Sequence, residues 1–431
     1  MEPLGIAVLG CGTVGSGVVK LLTEHAERLT TRTGRRLSLR HVVVRDLAKP
    51  REMPTALLST DVSAVIHDPS VQIVVELMGG TTHARTAVLA ALAAGKHVVT
   101  ANKALLAEHG PEVFAAAQRA ERTVGFEASV AGGVPIIAAL GQSLAANQIL
   151  SLQGILNGTS NFILSSMADR NIGYAEALAE AQQLGYAEAD PTLDVDGSDA
   201  AHKLALLAQL TFGVYVQPHL VEKTGISELH DMDLRFAREL GYTIKLLAEA
   251  WLTDRQLALH VAPVLLRHAG PLAQVRGPFN ALQVVGDVVG QTFFQGRGAG
   301  QMPTASAVLA DVIDLAVGRA QRTFATLRLW ETGSRGISVR PTDEVPSRFY
   351  LRLLIADEPG VLAEVARLLA EEGISISSVI QHEAQDSETP TQVPLVIMTH
   401  TASTGRFRAA VAKINRMARI AAPGVYYAVG D

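Results

Sequence analysis

The chain predicts an α/β protein: a doubly wound parallel sheet, then an α+β domain, then a small ferredoxin-like tail. Three observations predict it. An apolar strand at the amino terminus runs into a glycine-rich turn and then a helical pattern. Apolar strands next alternate with alanine-rich helical stretches up to about residue 130. The final segment orders its elements β-α-β-β-α-β.

The first strand and turn read Leu4-Gly5-Ile6-Ala7-Val8-Leu9-Gly10-Cys11-Gly12-Thr13-Val14-Gly15, followed by Val18-Val19-Lys20-Leu21-Leu22. This is Gly-x-Gly-x-x-Gly in its proper setting. Gly10 permits the tight turn, Gly12 lets the backbone approach a pyrophosphate, and Gly15 lets helix and strand pack closely, with phosphates on the helix amino terminus. Thr13 and Val14 stand in the same loop. Further strands are expected at Leu37 to Val44, Ile73 to Leu77, His97 to Thr100 and Val124 to Ala128, with helices at Ala84 to Ala94 and Pro111 to Ala120. Residues 1–131 therefore form a Rossmann-type dinucleotide-binding domain.

Residues 132–303 mix helices and strands. Tyr174 to Leu184 and Ala200 to Leu210 are the clearest helices, and Gln256 to Leu265 reads as a strand. A long helix at Thr304 to Arg322 follows Gly296-Arg297-Gly298-Ala299-Gly300 and is expected to pack back on the first domain. A polar stretch, 331–346, reads as a linker. In the tail, 347–431, strands are expected at Arg348 to Ile355, Ile374 to Gln381, Val393 to His400 and Val425 to Val429. Its helices run from Asp357-Glu358-Pro359-Gly360 through Leu369 and from Arg406 to Met417.

Composition sets limits on partners. The chain has 431 residues, 48% hydrophobic and 18% charged, with a formal charge of -5. There is no general basic field for nucleic acid. No apolar run reaches the ~18 residues of a membrane helix. Met1-Glu2-Pro3 is unlike the basic start of a signal peptide. Cys11 is the single cysteine, so an intramolecular disulfide is impossible, which fits a reducing cytoplasm.

Several residues carry chemistry. The second strand ends Val44-Arg45-Asp46, offering a cation for the 2'-phosphate of NADP(H) beside a carboxylate suited to NAD(H); NADP is favoured and NAD stays open. Thr100-Ala101-Asn102-Lys103 closes another strand, and ligands of doubly wound sheets lie beyond the carboxyl ends of the strands. The same argument covers Gly79-Gly80-Thr81. The densest polar stretch runs from Tyr186 to Lys203 and crowds Glu188, Asp190, Asp194, Asp196 and Asp199 ahead of an apolar helix. Asp199 and Lys203 share a face at i,i+4, and Ser198 is placed to cap that helix. Carboxylates beside a lysine suit a zwitterionic substrate, the acids holding an ammonium or hydroxyl and the cation facing the oxyanion of a carbonyl that accepts hydride. The histidines are scattered without His-Glu-x-x-His, which argues against catalytic zinc.

The chain resembles the homoserine dehydrogenases along nearly all of its length. The resemblance rests on Gly10 to Gly15, Ala101-Asn102-Lys103, Glu127-Ala128-Ser129-Val130-Ala131-Gly132-Gly133-Val134-Pro135, Asn157-Gly158-Thr159-Ser160-Asn161, Glu188-Ala189-Asp190-Pro191, Asp196 to Lys203 and Gly296 to Ser306. The tail resembles an ACT domain through Asp357-Glu358-Pro359-Gly360-Val361-Leu362. The resemblance implies NAD(P)-dependent interconversion of L-homoserine and L-aspartate 4-semialdehyde in threonine, methionine and isoleucine synthesis. It further implies that Lys203 donates the proton, that Asp199 and Glu188 grip the substrate, and that Lys103 lies between cofactor and substrate. By the same resemblance Thr159, Gly185 and Gly300 are expected to border the substrate, and Glu127, Val130, Gly132 and Val134 to form a structural sodium site largely from backbone carbonyls. Threonine is the effector expected at the tail, and a homodimer or homotetramer is the expected assembly.

Two other readings compete with this one. Aspartate-semialdehyde dehydrogenase needs a cysteine nucleophile, and Cys11 lies in the phosphate loop without an activating partner. A non-enzymatic amino-acid sensor would use the nucleotide fold and the tail alone. The Asp199 and Lys203 pair argues for chemistry.

Overall fold

The computed structural model describes residues 2–51, 53–331, 333, 336–382 and 392–430. They divide into two compact units, Met1–Gly158 with Asp199–Val221 and Pro278–Ile337, and Thr159–Ser198 with Glu222–Gly277 and Ser338–Asp431.

The first unit is built on six parallel strands, β1 (Leu4–Leu9), β2 (Leu37–Val43), β3 (Leu58–Ser59), β4 (Ile73–Glu76), β5 (His97–Thr100) and β6 (Val124–Gly125). Their order is β3-β2-β1-β4-β5-β6, so the winding reverses between β1 and β4, where such sheets bind ligands. Every residue of β1 is buried, as befits a central strand covered on both faces. One face packs Ile6 and Val8 against Val18, Val19 and Leu22 of the helix Thr13–Glu24 and against Ala305, Val308 and Val312 of the helix Gln301–Ala316. A separate antiparallel set in this unit pairs Phe279–Gly286 with Gly290–Arg297 and with Ile149–Ile155.

In this unit three elements differ markedly from the sequence expectation. The stretch expected as one helix over Thr304 to Arg322 is two, Gln301–Ala316 and Arg319–Leu327, broken where Gly318 takes a φ of 78°. The helix expected from Pro111 begins eight positions earlier, at Lys103, and carries Pro111 inside it. Asn102 starts it by accepting the Leu105 amide on its side chain at 3.1 Å, a cap that outweighs the proline as a start signal. The last Rossmann strand covers only Val124–Gly125, because Glu127–Ser129 turns into a short 3-10 segment.

The second unit centres on a hairpin, Tyr242–Thr253 with Gln256–Arg267, turned at Asp254 and Arg255, which have φ of 49° and 61°. Positive φ at both central residues is what lets a two-residue turn follow the strand twist. The tail continues this sheet. Its last strand, Ile420–Gly430, runs parallel to the hairpin through Val264↔Ala428, Leu265↔Val429 and Leu266↔Gly430. Pro346–Ala356, Gln392–Thr399 and Ile376–Gln381 then follow in that order. Helices Val361–Glu371 and Thr404–Ile414 cover a core around Phe349 and Phe407, stacked at 3.9 Å. This is the βαββαβ unit. Of the polar stretch 331–346, Thr332, Ser334 and Arg335 lie outside the described residues, while Ser338–Val339 pairs with Gln256 and Leu257.

Candidate active site

The glycine turn has the geometry its sequence requires. Gly10 has a φ of 98°, and a Cβ there would lie 2.5 Å from the Leu77 carbonyl oxygen; at Gly15 a Cβ would lie 2.1 Å from the Gly10 carbonyl oxygen. Both positions demand glycine. Gly12 and Thr13 are exposed, no atom stands within 4 Å of a Cβ at Gly12, and the helix that starts at Thr13 has no side-chain cap and no acid in its first turn. Its free N–H groups and dipole are open to a phosphate. Val14 packs beneath the loop.

Around that loop, Arg45 is exposed just beyond β2, and Gly80, with a φ of 70°, is exposed beyond β4. Arg51, absent from the sequence reading, hydrogen-bonds the Asp46 and Lys49 carbonyls and also reaches Cys11. Burial pushes the Cys11 thiol pKa up against the opposing pull of Arg51. A raised thiol is a poor nucleophile, which agrees with Cys11 as loop filler. Thr100 is buried at the end of β5.

The chemistry-bearing pair lies on the helix Ser198–Phe212, all but its first residue in the first unit. Asp199 Oδ2 accepts from Lys203 Nζ at 2.7 Å and from Asn157 Nδ2 at 2.9 Å, while Oδ1 lies 3.1 Å from Lys103 Nζ. Lys203 also donates to the Leu156 carbonyl at 2.6 Å, and Asn280 Nδ2 donates to the same oxygen at 3.0 Å. Burial by itself would raise the Asp199 pKa, but Lys203 and then Lys103, with the Lys203 and Asn157 hydrogen bonds, hold it well below the usual carboxylate range. One carboxylate thus serves two ammonium groups. The cluster carries an excess positive charge, the sign an alkoxide formed by hydride addition needs. The Ser198 hydroxyl donates to Asp196 Oδ2 at 2.7 Å.

Gly300 lies in the first unit, at the start of the helix Gln301–Ala316. Glu188, Thr159 and Gly185 fall in the second. There Thr159 donates its hydroxyl to the Tyr186 carbonyl at 2.7 Å, Gly185 has a φ of 73° just after the helix Tyr174–Gln183, and the Glu188 side chain is exposed with its carbonyl accepting from Gln182 at 3.2 Å.

The loop proposed for sodium is buried: Glu127, Val130 and Val134 are 5%, 0% and 2% exposed. Ala131 and Gly132 both take left-handed backbone, with φ of 53° and 38°, a strained turn of the kind held at ligand clamps. The Glu127 carboxylate is committed to the backbone, accepting the Ile137 and Ala138 N–H groups at 2.9 and 2.8 Å. What this segment offers a cation is therefore main-chain oxygen, hard donors that fit an alkali ion. Among the described residues, no group of three or more His, Cys, Asp or Glu is arranged to hold a metal.

Asn157, the Leu156 carbonyl and Asn280 belong to the site and were not singled out in the sequence. Asn157 stood inside the quoted Asn-Gly-Thr-Ser-Asn stretch, but Asn280 had no local signal at all.

Fold and site together define a nicotinamide-dependent dehydrogenase with a regulatory-type tail. Residues 10–127 match the family description homoserine dehydrogenase, NAD binding domain; 135–313 match homoserine dehydrogenase; and 349–419 match the ACT domain. The chain is 43% identical to the homoserine dehydrogenase of Neisseria gonorrhoeae over 97% of this chain and 96% of that one. A crystal structure of a homoserine dehydrogenase from Thiobacillus denitrificans superposes with a TM-score of 0.93 at 42% identity, covering 100% of this chain and 99% of the other. A hyperthermophilic archaeal homoserine dehydrogenase in complex with NADPH superposes at 0.63 with 25% identity, over 74% of this chain and 98% of its own. The chain belongs to the homoserine dehydrogenase family. It is an oxidoreductase of the CH–OH group that interconverts L-homoserine and L-aspartate 4-semialdehyde with a nicotinamide cofactor.

Proposed function

We propose that Lys203 is the proton donor of semialdehyde reduction and that Asp199 sets it in place. The observation that carries this is the pair of acceptors on Lys203, Asp199 Oδ2 at 2.7 Å and the Leu156 carbonyl at 2.6 Å. An ammonium has three N–H groups; two are held, and the third is directed by them. The bound nicotinamide supplies or takes up the hydride. As negative charge develops on the carbonyl oxygen, Lys203 hydrogen-bonds it and passes its proton; in the oxidation direction the same nitrogen accepts the hydroxyl proton. Lys103 adds a second positive charge, and Asp199 and Glu188 bind the substrate's polar groups.

The cofactor is NADP(H), with NAD(H) as a second acceptor. Gly10, Gly12, Thr13, Val14 and Gly15 receive the pyrophosphate, Arg45 the 2'-phosphate, and Gly80, Thr100 and Lys103 border the rest. In support, Arg45 is exposed beyond β2, and the archaeal relative was solved with NADPH. Carbonyls of Glu127, Val130, Gly132 and Val134 hold a structural sodium ion. Threonine binds the ACT tail near Gly360 as an effector, and the enzyme works in the cytoplasm as a homodimer or homotetramer. Initial rates of homoserine oxidation with NADP and with NAD, for parental and Arg45→Ala protein and with and without threonine, test these points together. The substitution raises the NADP KM and leaves that for NAD; an equal effect on both removes Arg45 from the 2'-phosphate.

A further inference from the structure

At the carboxyl ends of β4 and β5, one buried carboxylate ties together two loops. Glu76 is the last residue of β4 and 0% exposed. Its Oε2 accepts the Thr100 hydroxyl at 2.7 Å, and its Oε1 accepts the Met78 backbone N–H at 2.8 Å. The Thr100 oxygen in turn accepts the Asn102 N–H at 3.0 Å. Asn102 donates its side-chain amide to the Gly80 carbonyl at 2.7 Å and caps the helix that opens with Lys103. The bonds close a ring from the loop after β4, through Glu76, to the loop after β5 and back.

The other residues of β4, Ile73, Val74 and Val75, are apolar and buried. A valine at 76 would fill such a strand without the cost of burying a carboxylate. What a carboxylate alone provides is two acceptor oxygens with no donor. Here one oxygen holds a donor from the loop after β4 and the other a donor at the end of β5.

We propose that Glu76 is a positioning residue for the nicotinamide cofactor. It fixes the Gly79-Gly80 turn and the Asn102-Lys103 helix start as one rigid rim, so that the cofactor binds without first ordering either loop. This rests on the cofactor lying at the crest of the parallel sheet, as proposed above.

Glu76→Gln cannot reproduce the arrangement. With its amide nitrogen toward Met78 two donors face each other, and with it toward Thr100 the threonine hydroxyl proton loses its acceptor. Titration of NADPH fluorescence on the folded variant is expected to show a Kd raised about tenfold, the scale of one hydrogen bond to a charged group. The KM for homoserine at saturating cofactor moves much less. Asn102→Ala, which removes the bond to the Gly80 carbonyl, is expected to weaken NADPH binding likewise, and the double variant Glu76→Gln/Asn102→Ala to bind no more weakly than either single one. A parental Kd in Glu76→Gln, even with a lowered melting midpoint, overturns the proposal, as does a parental Kd in Asn102→Ala. If Glu76→Gln does not fold, Asn102→Ala decides by the same criterion. Absence of NADPH binding in the parental protein would instead overturn the crest reading itself.

Discussion

Lys203 and Asp199 meet at 2.7 Å one helical turn apart, and the free oxygen of that carboxylate lies 3.1 Å from Lys103. Asp199 is 8% exposed, so its two lysines are the groups that keep it ionised. Asp199→Asn leaves two ammonium groups facing each other with no counter-charge. Loss of one partner from a buried ionic cluster costs about 3 kcal/mol. The folded pKa of Asp199 is depressed, so its contribution is fully present above the unfolded value of about 3.9 and disappears as pH falls through the lower folded value. Melting midpoints should therefore separate parental and Asn proteins clearly at neutral pH. The gap should narrow only below about pH 4.

A buried lysine gives the same pH sign in a higher range. Lys245 is 2% exposed and donates to Asn161 Oδ1 at 2.9 Å and to the Val275 carbonyl at 2.5 Å. Burial, reinforced by Arg276, lowers its pKa to about 7. The folded state sheds this proton more readily than the unfolded chain, so its stability rises from about pH 7 toward the unfolded value near 10.4. Across pH 7 to 9, denaturation of the parental protein compared with Lys245→Met should move in the parent's favour. A constant difference would show that Lys245 stays charged throughout.

Asp233 is 0% exposed on the helix Asp231–Glu239. It accepts from Tyr350 at 3.0 Å and from Arg352 at 2.5 and 2.9 Å, both on a strand of the tail. Arg352→Leu leaves the carboxylate with hydroxyl donors and no cation. A loss of about 3–5 kcal/mol is expected, measured as denaturant-induced unfolding, and Asp233→Asn in the same background should recover part of it.

The tail is also joined through the backbone, since Ile420–Gly430 and Ser338–Val339 both pair with Gln256–Arg267. Ending the chain after Glu331 strips that strand of these partners and Asp233 of its donors. The truncated protein should melt lower and aggregate, because an uncovered apolar edge recruits other chains. A soluble truncation with the parental melting midpoint would mean that the pairing contributes little.

How legible all this was depended on how local each signal is. The glycine turn and the Asp199 and Lys203 spacing could be read because their partners lie within a few residues. The position of Lys103 followed from the topology rule, but its approach to Asp199 did not, since only the folded chain joins the two segments. Nothing next to Glu76 or Asn280 in the chain marks either one, because their partners, Thr100 and the Leu156 carbonyl, lie far away in sequence. The final strand is expected at Val425 to Val429, just after Pro423-Gly424. It actually begins at Ile420 and accommodates them at a register shift opposite Arg352 and Leu354, as bulged strands do.

The most direct test is NADPH oxidation by L-aspartate 4-semialdehyde in parental and Lys203→Ala proteins, with the NADPH Kd measured on both. The expected result is turnover in the parent, a loss of at least ~10²-fold in kcat for the variant, as for a missing general acid, and unchanged cofactor binding. A variant that turns over within about tenfold of the parent would contradict the role assigned to Lys203.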